Sequence, residues 1–160
     1  MLFPDELLVE ARRGLGDDQS DQSQGRLRRA LSTAYYSLFH LLIAEATANW
    51  NRPEQRDRLA RCFQHKQMRH ASGQVKGRAY ADESPDVVKR LRAIAKCFVD
   101  LQASRQDADY NKERPWRHAE VQRKVNDVAM AFDDVEAIRS EQVFQDYLLS
   151  LFVHEPWEED

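Results

Sequence analysis

A chain of 160 residues is long enough to bury a substantial core in one domain, and 42% hydrophobic with 32% charged residues is typical of a helix-rich soluble protein. The formal net charge of −3 argues against a dedicated nucleic-acid-binding protein, because such proteins are usually strongly basic. The N-terminal sequence lacks a basic stretch followed by a long apolar run, and the longest apolar run is interrupted by His40 and Glu45. We therefore expect a cytoplasmic protein with no secretory signal and no membrane span, whose two cysteines are reduced thiols.

The N-terminal half predicts two helices separated by a polar loop. Pro4 begins a short helix that runs to about Arg13, and residues 17–25 form the loop. A long helix follows over residues 26–50. Its apolar positions recur every three or four residues and define one buried face: Leu27, Leu31, Ala34, Leu38, Leu42 and Ala46.

A second face of this long helix is polar and aromatic, with Arg29, Thr33, Tyr36 and His40 at helical spacing. In a bundle, the polar tips of Tyr36 and His40 would point outward or hydrogen-bond a neighbouring helix. Both residues are candidates for a structural role and for a site.

The charges are unevenly distributed along the chain. Residues 52–79 carry eight Lys and Arg against two Asp and Glu, whereas residues 133–160 carry one Arg against nine Asp and Glu. The basic segment could contact the phosphates of an RNA or a nucleotide. It could equally pair with the acidic C-terminal segment, within one chain or across a dimer, and the sequence leaves both uses open.

The remaining chain predicts helices as well, and we find no convincing strand. A third helix starts near Pro53 and gives way to a loop over residues 71–77, and Ser84 with Pro85 opens a fourth. A fifth helix follows Pro115, a last amphipathic piece contains residues 144–152, and residues 154–160 form an acidic tail. The sequence therefore predicts an all-α, antiparallel up-and-down bundle of five to six helices, as one domain over residues 1–160 with its core at about 25–153.

Arg105 occupies an apolar position of the fourth helix. The apolar face of that helix runs through Val87, Leu91, Ile94, Phe98 and Leu101, and the next step along the same face is Arg105. A half-buried guanidinium must find acceptors, and Asp107, Asp109, Tyr110 and Asn111 follow at once. The pattern fits a binding or catalytic site and also a helix-end arginine that reaches water. Burial within one chain against a carboxylate would weaken the first interpretation.

Other chemistry has no support in the sequence. No glycine-rich phosphate loop occurs, and neither H-E-x-x-H nor C-x-x-C is present. We therefore expect no cofactor and no bound metal.

Three motifs resemble those of small prokaryotic HEPN-domain proteins. Residues 29–40, R-A-L-S-T-A-Y-Y-S-L-F-H, resemble the A-x-x-A-Y-Y-A-x-F-H helix of that family, and residues 63–66, F-Q-H-K, are similar to the H-K segment that follows it. Residues 101–110, L-Q-A-S-R-Q-D-A-D-Y, resemble the L-x-x-x-R-x-x-A-D-Y signature. The resemblance covers about residues 25–140 in the family's order. It implies a helical bundle that dimerises, in a toxin–antitoxin, antiphage or RNA-processing context.

Many HEPN proteins are metal-independent endoribonucleases in which an arginine and a histidine four to six residues later meet across the dimer. The resemblance places Arg105 at the arginine, but Tyr110 and Asn111 stand where the histidine is expected. A phenol with an ordinary pKa of about 10 is a poor general base at neutral pH. His40 or His65, with Lys66 beside it, could approach Arg105 from neighbouring helices.

Three hypotheses follow. The first, which we favour, is a dimeric HEPN-like binding or regulatory protein that acts on RNA, a nucleotide or a nucleotidyltransferase partner. The second is a ribonuclease that combines Arg105 with Tyr110, His40 or His65, and in either case Asp107, Asp109, Asn111, Tyr36 and Lys66 would support the site. The third is a structural interaction module in which Arg105, Asp107 and Tyr110 only brace the dimer.

Overall fold

A computed structural model of the chain describes residues 1–16 and 23–153. Within those ranges the structure is helical, contains no strand and consists of α1 (Phe3–Leu15), α2 (Gln24–Thr47), α3 (Pro53–Ala60), α4 (His65–Val75), α5 (Pro85–Tyr110), α6 (His118–Ile138) and α7 (Gln142–Ser150). No helix in the described part of the chain is both long enough and apolar enough to cross a membrane. The acidic tail of residues 154–160 and most of the polar loop lie outside the described residues.

Four long helices, α1, α2, α5 and α6, form the bundle, and their polar contacts give their directions. The start of α2 contacts the end of α5, since Arg28 donates to the carbonyl of Ala108. Arg90 near the start of α5 pairs with Asp134 near the end of α6, at 2.9 Å. Consecutive helices of the bundle therefore alternate in direction, as the sequence predicts for an up-and-down bundle.

The predicted apolar faces are the faces that pack. Every position of the α5 face from Val87 to Leu101 is buried, and on α2 only Ala46 is partly exposed. The largest side chains with no exposed surface are those of Tyr35, Phe98 and Phe144. Complete burial of a large apolar side chain contributes about 1.5–3 kcal/mol, so these three residues add strongly to the stability of the core.

The structure corrects the predicted number of helices from five or six to seven in the described ranges. The predicted third helix is two helices, α3 and α4, because Phe63 in the turn between them is buried against Phe152, with ring centroids 5.0 Å apart. The loop predicted from residue 71 is wrong at its start, since Ala71 and Val75 are buried in α4. Gln24 and Gly25, which were predicted as loop, begin α2.

One predicted helix end and one predicted capping interaction also change. The long second helix ends at Thr47 rather than at residue 50. Ser84 does precede α5, but its side chain makes no capping hydrogen bond. These shifts leave the bundle unchanged, because helix ends fray and depend on local bonds that apolar periodicity does not encode.

Candidate functional site

Arg105 lies inside one chain, between α5 and α2. Its side chain is only 15% exposed, and its Nε atom lies 3.3 Å from a carboxylate oxygen of Asp109, one turn along the same helix. The Nε–H group does not point at that oxygen and makes no hydrogen bond. The terminal Nη1 donates to the hydroxyl of Tyr36 at 3.3 Å. This burial and pairing weaken the interpretation of Arg105 as a guanidinium held ready for an anion.

The guanidinium also lies against two aromatic rings of α2. Its central carbon is 5.3 Å from the centroid of the Tyr35 ring and 5.5 Å from that of Tyr36. A cation at this distance from a ring face is attracted by the ring's negative quadrupole, and the attraction grows as water is excluded. Arg105 is thus held by α2 as well as by Asp109.

His65 joins the same cluster from the start of α4. Its Nδ1 atom is 2.6 Å from the Tyr35 hydroxyl, and its ring stacks on Phe39 with centroids 4.2 Å apart. Burial raises the pKa of Tyr35 well above its ordinary value, while burial, Arg105 and His40 lower the pKa of His65. Both groups are therefore neutral near pH 7.

The Tyr35–His65 hydrogen bond fixes which nitrogen of His65 carries the proton. The fully buried Tyr35 hydroxyl has no described acceptor other than Nδ1, so donation to Nδ1 satisfies its proton. The neutral imidazole then carries its own proton on Nε2. In this state His65 offers a hydrogen-bond donor rather than a general base.

His40 completes the cluster on its more exposed side. Its ring lies between Phe3 of α1 and Tyr36, with centroid separations of 5.1 Å and 6.3 Å. Burial lowers the pKa of His40, so this ring is also neutral at neutral pH. The structure thus brings Tyr36, His40 and His65 together with Arg105, as the sequence allowed.

Other predicted site residues lie apart from this cluster. The Tyr110 side chain is 78% exposed, and no hydrogen bond or ion pair joins it to Arg105 in the described part of the chain. Asp107 lies 4.0 Å from the Nε atom of Arg114, and Asn111 contributes its backbone to the end of α5. Lys66 is exposed at the start of α4. The described contacts of Arg105 are with Tyr36 and Asp109, so they do not pair it with Tyr110 as a catalytic couple.

Sequence reasoning missed Arg28, which closes the C-terminal end of α5. Its two terminal nitrogens donate to five backbone carbonyls, of Asp107, Ala108, Asn111, Lys112 and Arg114. The last carbonyls of a helix have no partner within the helix, and a cation there also opposes the negative end of the helix dipole. Arg28 therefore holds the segment that follows Arg105. Nothing in its local sequence indicates this, since the acceptors lie about 80 residues away.

The segment after α5 is anchored in a similar way. The Gln24 side chain accepts from the backbone N–H of Trp116 at 2.8 Å and donates to its carbonyl at 2.7 Å. The Arg114 guanidinium lies 3.6 Å from the Trp116 ring centroid and donates to Glu120 at 2.8 Å. The turn from α5 to α6 is thereby fixed against the start of α2.

A basic surface runs along α3 and α4, and we define it by eight exposed cations, which are Arg52, Arg56, Arg58, Arg61, Lys66, Arg69, Lys76 and Arg78. None of them forms an ion pair with a residue in the described ranges. In the described part of the acidic C-terminal segment, Asp134 forms an ion pair, and its partner is Arg90 of α5 rather than a cation of the basic surface. Residues 133–153 therefore form no ion pair with the basic segment, residues 52–79, of the same chain.

The described residues contain no group of three or more His, Cys, Asp or Glu side chains placed to hold a metal ion. The groups that the basic surface and the neighbouring cluster offer to a ligand are cations and aromatic rings.

Comparison with known proteins adds no assignment. The chain matches no family model, no curated protein and no solved structure.

Proposed function

We propose that the protein is a dimeric, HEPN-like RNA-binding protein that contacts RNA phosphates through the basic surface of α3 and α4. The observation that supports this proposal is that eight cations within one stretch of chain, residues 52–78, are exposed and have no ion-pair partner in the described ranges. Release of counterions from RNA favours binding at such a surface even though the whole chain is acidic. Its role would be regulatory rather than catalytic, in a toxin–antitoxin or defence setting.

The burial of Arg105 favours binding over cleavage. A catalytic guanidinium must reach the charge that develops on the phosphate, whereas this one is 15% exposed and paired with Asp109. The basic surface needs no such rearrangement, because its side chains are already exposed. Arg105 therefore acts as a brace inside one chain, which differs from the dimer brace of the structural hypothesis.

Binding can be tested by fluorescence anisotropy with a labelled single-stranded RNA, over a series of salt concentrations and in EDTA. We expect the double substitution Arg61→Glu and Arg69→Glu to weaken binding by at least about tenfold. It should also lower the magnitude of the log–log salt slope by about 1.4, since each lost phosphate contact removes about 0.7 on a single strand.

The matched control is the double substitution Lys89→Glu and Arg123→Glu. It makes the same change in net charge at exposed cations of α5 and α6. If the two double variants weakened RNA binding equally, the effect would come from net charge alone. The assignment of the basic surface as the RNA-binding site would then be wrong. Absence of RNA binding by folded protein at low salt would refute the proposed function.

A second candidate function is metal-independent RNA cleavage. The observation in its favour is that His65 and His40 join the aromatic cluster that contains Arg105. In this candidate the Nε2–H group of neutral His65 would donate a hydrogen bond to the charge that develops on the phosphate, once Arg105 turned toward the substrate.

Incubation of RNA with the protein in EDTA tests this second candidate. Cleavage that persists in EDTA, and is lost in both Arg105→Lys and His65→Asn, would support it. Tyr110→Phe serves as a comparison, because it removes only an exposed hydroxyl. Intact RNA after prolonged incubation with folded protein that binds it would eliminate the candidate.

A further inference from the structure

Four rings form a partly exposed aromatic shelf, which we define as Phe3, Tyr36, His40 and His65. Tyr36 lies between the two histidines, with ring centroids 6.3 Å from His40 and 6.0 Å from His65, and Phe3 extends the shelf from α1 at 5.1 Å from His40. Phe3 is 56% exposed, and the other three rings are partly exposed. Three different helices therefore bring aromatic surface to one place at the edge of the bundle.

The shelf is more exposed than packing alone would require. A phenylalanine that only fills a core is usually buried, as Phe98 and Phe144 are in this bundle. Burial lowers the pKa of both histidines in the shelf, which keeps their rings neutral and apolar enough to stack. Arg105 underlies Tyr36 and holds that ring in place.

The shelf and the basic surface meet at His65. His65 is the first residue of α4, Lys66 follows it, and Arg69 lies one helical turn further along the same face of α4. Arg61 precedes His65 by one short turn of chain. Exposed cations are therefore adjacent in α4 to a ring of the shelf.

We propose that the aromatic shelf stacks the unpaired bases of single-stranded RNA while Lys66 and Arg69 pair with the adjoining phosphates. This inference rests on the proposed RNA binding and specifies its substrate class. Alternation of cations with aromatic rings is how proteins hold single strands, because every base has a face that can stack. In a duplex the bases are already stacked on one another, so a duplex offers the shelf nothing and gains only from the cations.

The experiment compares three labelled ligands of equal length: a single-stranded oligouridine, the same ribose-phosphate strand without bases, and an RNA duplex. Binding of each is measured with the native protein and with Phe3→Ala. We expect Phe3→Ala to weaken oligouridine binding by about tenfold, which corresponds to the stacking of one base. Its binding to the abasic strand should stay within about twofold, because only phosphates are contacted there.

The control is Met130→Ala, which removes an exposed apolar side chain, 64% exposed, from α6. It should leave all three affinities unchanged. Phe3 is more than half exposed, so Phe3→Ala should fold, and its thermal midpoint verifies this. His40→Leu provides a second variant that keeps bulk but alters a ring of the shelf.

The outcomes separate the two proposals. Equal affinity for oligouridine and the abasic strand, with no effect of Phe3→Ala or His40→Leu, would overturn the shelf and leave the basic surface intact. Tightest binding to the duplex would also overturn it. If folded protein bound none of the three ligands at low salt, the proposed RNA binding itself would fail and the shelf would lose its substrate.

Discussion

Arg105 is enclosed by groups from two helices, and its removal should therefore destabilise the fold. Arg105→Ala removes two cation–π contacts and leaves Asp109 without its partner, so we expect the free energy of unfolding to fall by about 1–3 kcal/mol. Urea unfolding measures this change. Arg123→Ala, at an exposed position of α6, is the control and should change stability by less than about 0.5 kcal/mol. If Arg105→Ala were as stable as the native protein, the role of Arg105 as an internal brace would be contradicted.

His40 and His65 should make stability depend on pH. Their pKa values are lowered in the folded state, chiefly by burial, so the unfolded chain takes up protons first as the pH falls below about 6.5. The free energy of unfolding should therefore decline below that pH, and the decline should end once the pH passes the lowered pKa values. Urea midpoints between about pH 7.5 and about pH 5 measure the decline.

His65→Asn should reduce this pH dependence, since it removes one of the two groups. A steeper decline in His65→Asn than in the native protein would contradict the assignment.

At the residue scale the sequence predicts which side chains are unusual better than it predicts their partners. Arg105 is identifiable because it interrupts an apolar face, and its side chain is buried further than the predicted half-buried position, at 15% exposure. The hydrogen bond from Tyr35 to His65 was not predictable, since it depends on where α4 begins after a turn fixed by buried Phe63. Position in a periodic helix is local information, whereas pairing depends on how helices pack.

At the scale of the helices, Arg28 of α2 caps the C-terminal end of α5, and this contact can be tested. Arg28→Ala should lower the free energy of unfolding by about 1.5–3 kcal/mol, because a charged donor to several carbonyls is lost. Amide hydrogen exchange should accelerate most over residues 105–111, at the end of α5. Arg29→Ala is the matched control, since Arg29 is exposed. Uniform acceleration along α5 would indicate that Arg28 acts on global stability alone.

The long helices were predicted as single elements, whereas α3 and α4 were predicted as one helix instead of two. In α2, α5 and α6 the apolar positions recur over five or more turns, so errors at single residues do not obscure the period. The eight residues of α3 contain no buried side chain, so they show no apolar face to detect. Short helices form because of their neighbours, and the sequence records those contacts only indirectly.

At the scale of the whole molecule, the reactivity of Cys62 measures access to the surface, whereas the reactivity of Cys97 measures opening of the bundle. Burial raises the pKa of the Cys97 thiol to about 12, whereas Cys62 is exposed. Since the thiolate is the reactive form, iodoacetamide should modify one thiol of the native protein at neutral pH and two thiols in urea. Mass spectrometry counts the adducts, and Cys62→Ser should react only when unfolded. Rapid double modification of native protein would show that the bundle opens near Cys97.

The bundle architecture and the basic segment followed from the sequence, while the position of that segment beside the aromatic cluster did not. Charge counts identify residues 52–79 as basic, but only the packing of α4 on α5 brings that segment beside Tyr36 and Arg105. Function at such a surface depends on residues that are distant in the chain, and for these the periodicity of one helix carries no information.

The acceptors of Arg28 are all main-chain carbonyls, and this has a consequence for mutational tolerance. A carbonyl is present whatever side chain stands beside it, so positions 111 and 112 should accept many residue types in a saturation library selected for folding. Position 28 should accept almost none, since no other side chain offers so many donors in a fixed fork. The most constrained residue around the end of α5 would then be one that α5 does not contain.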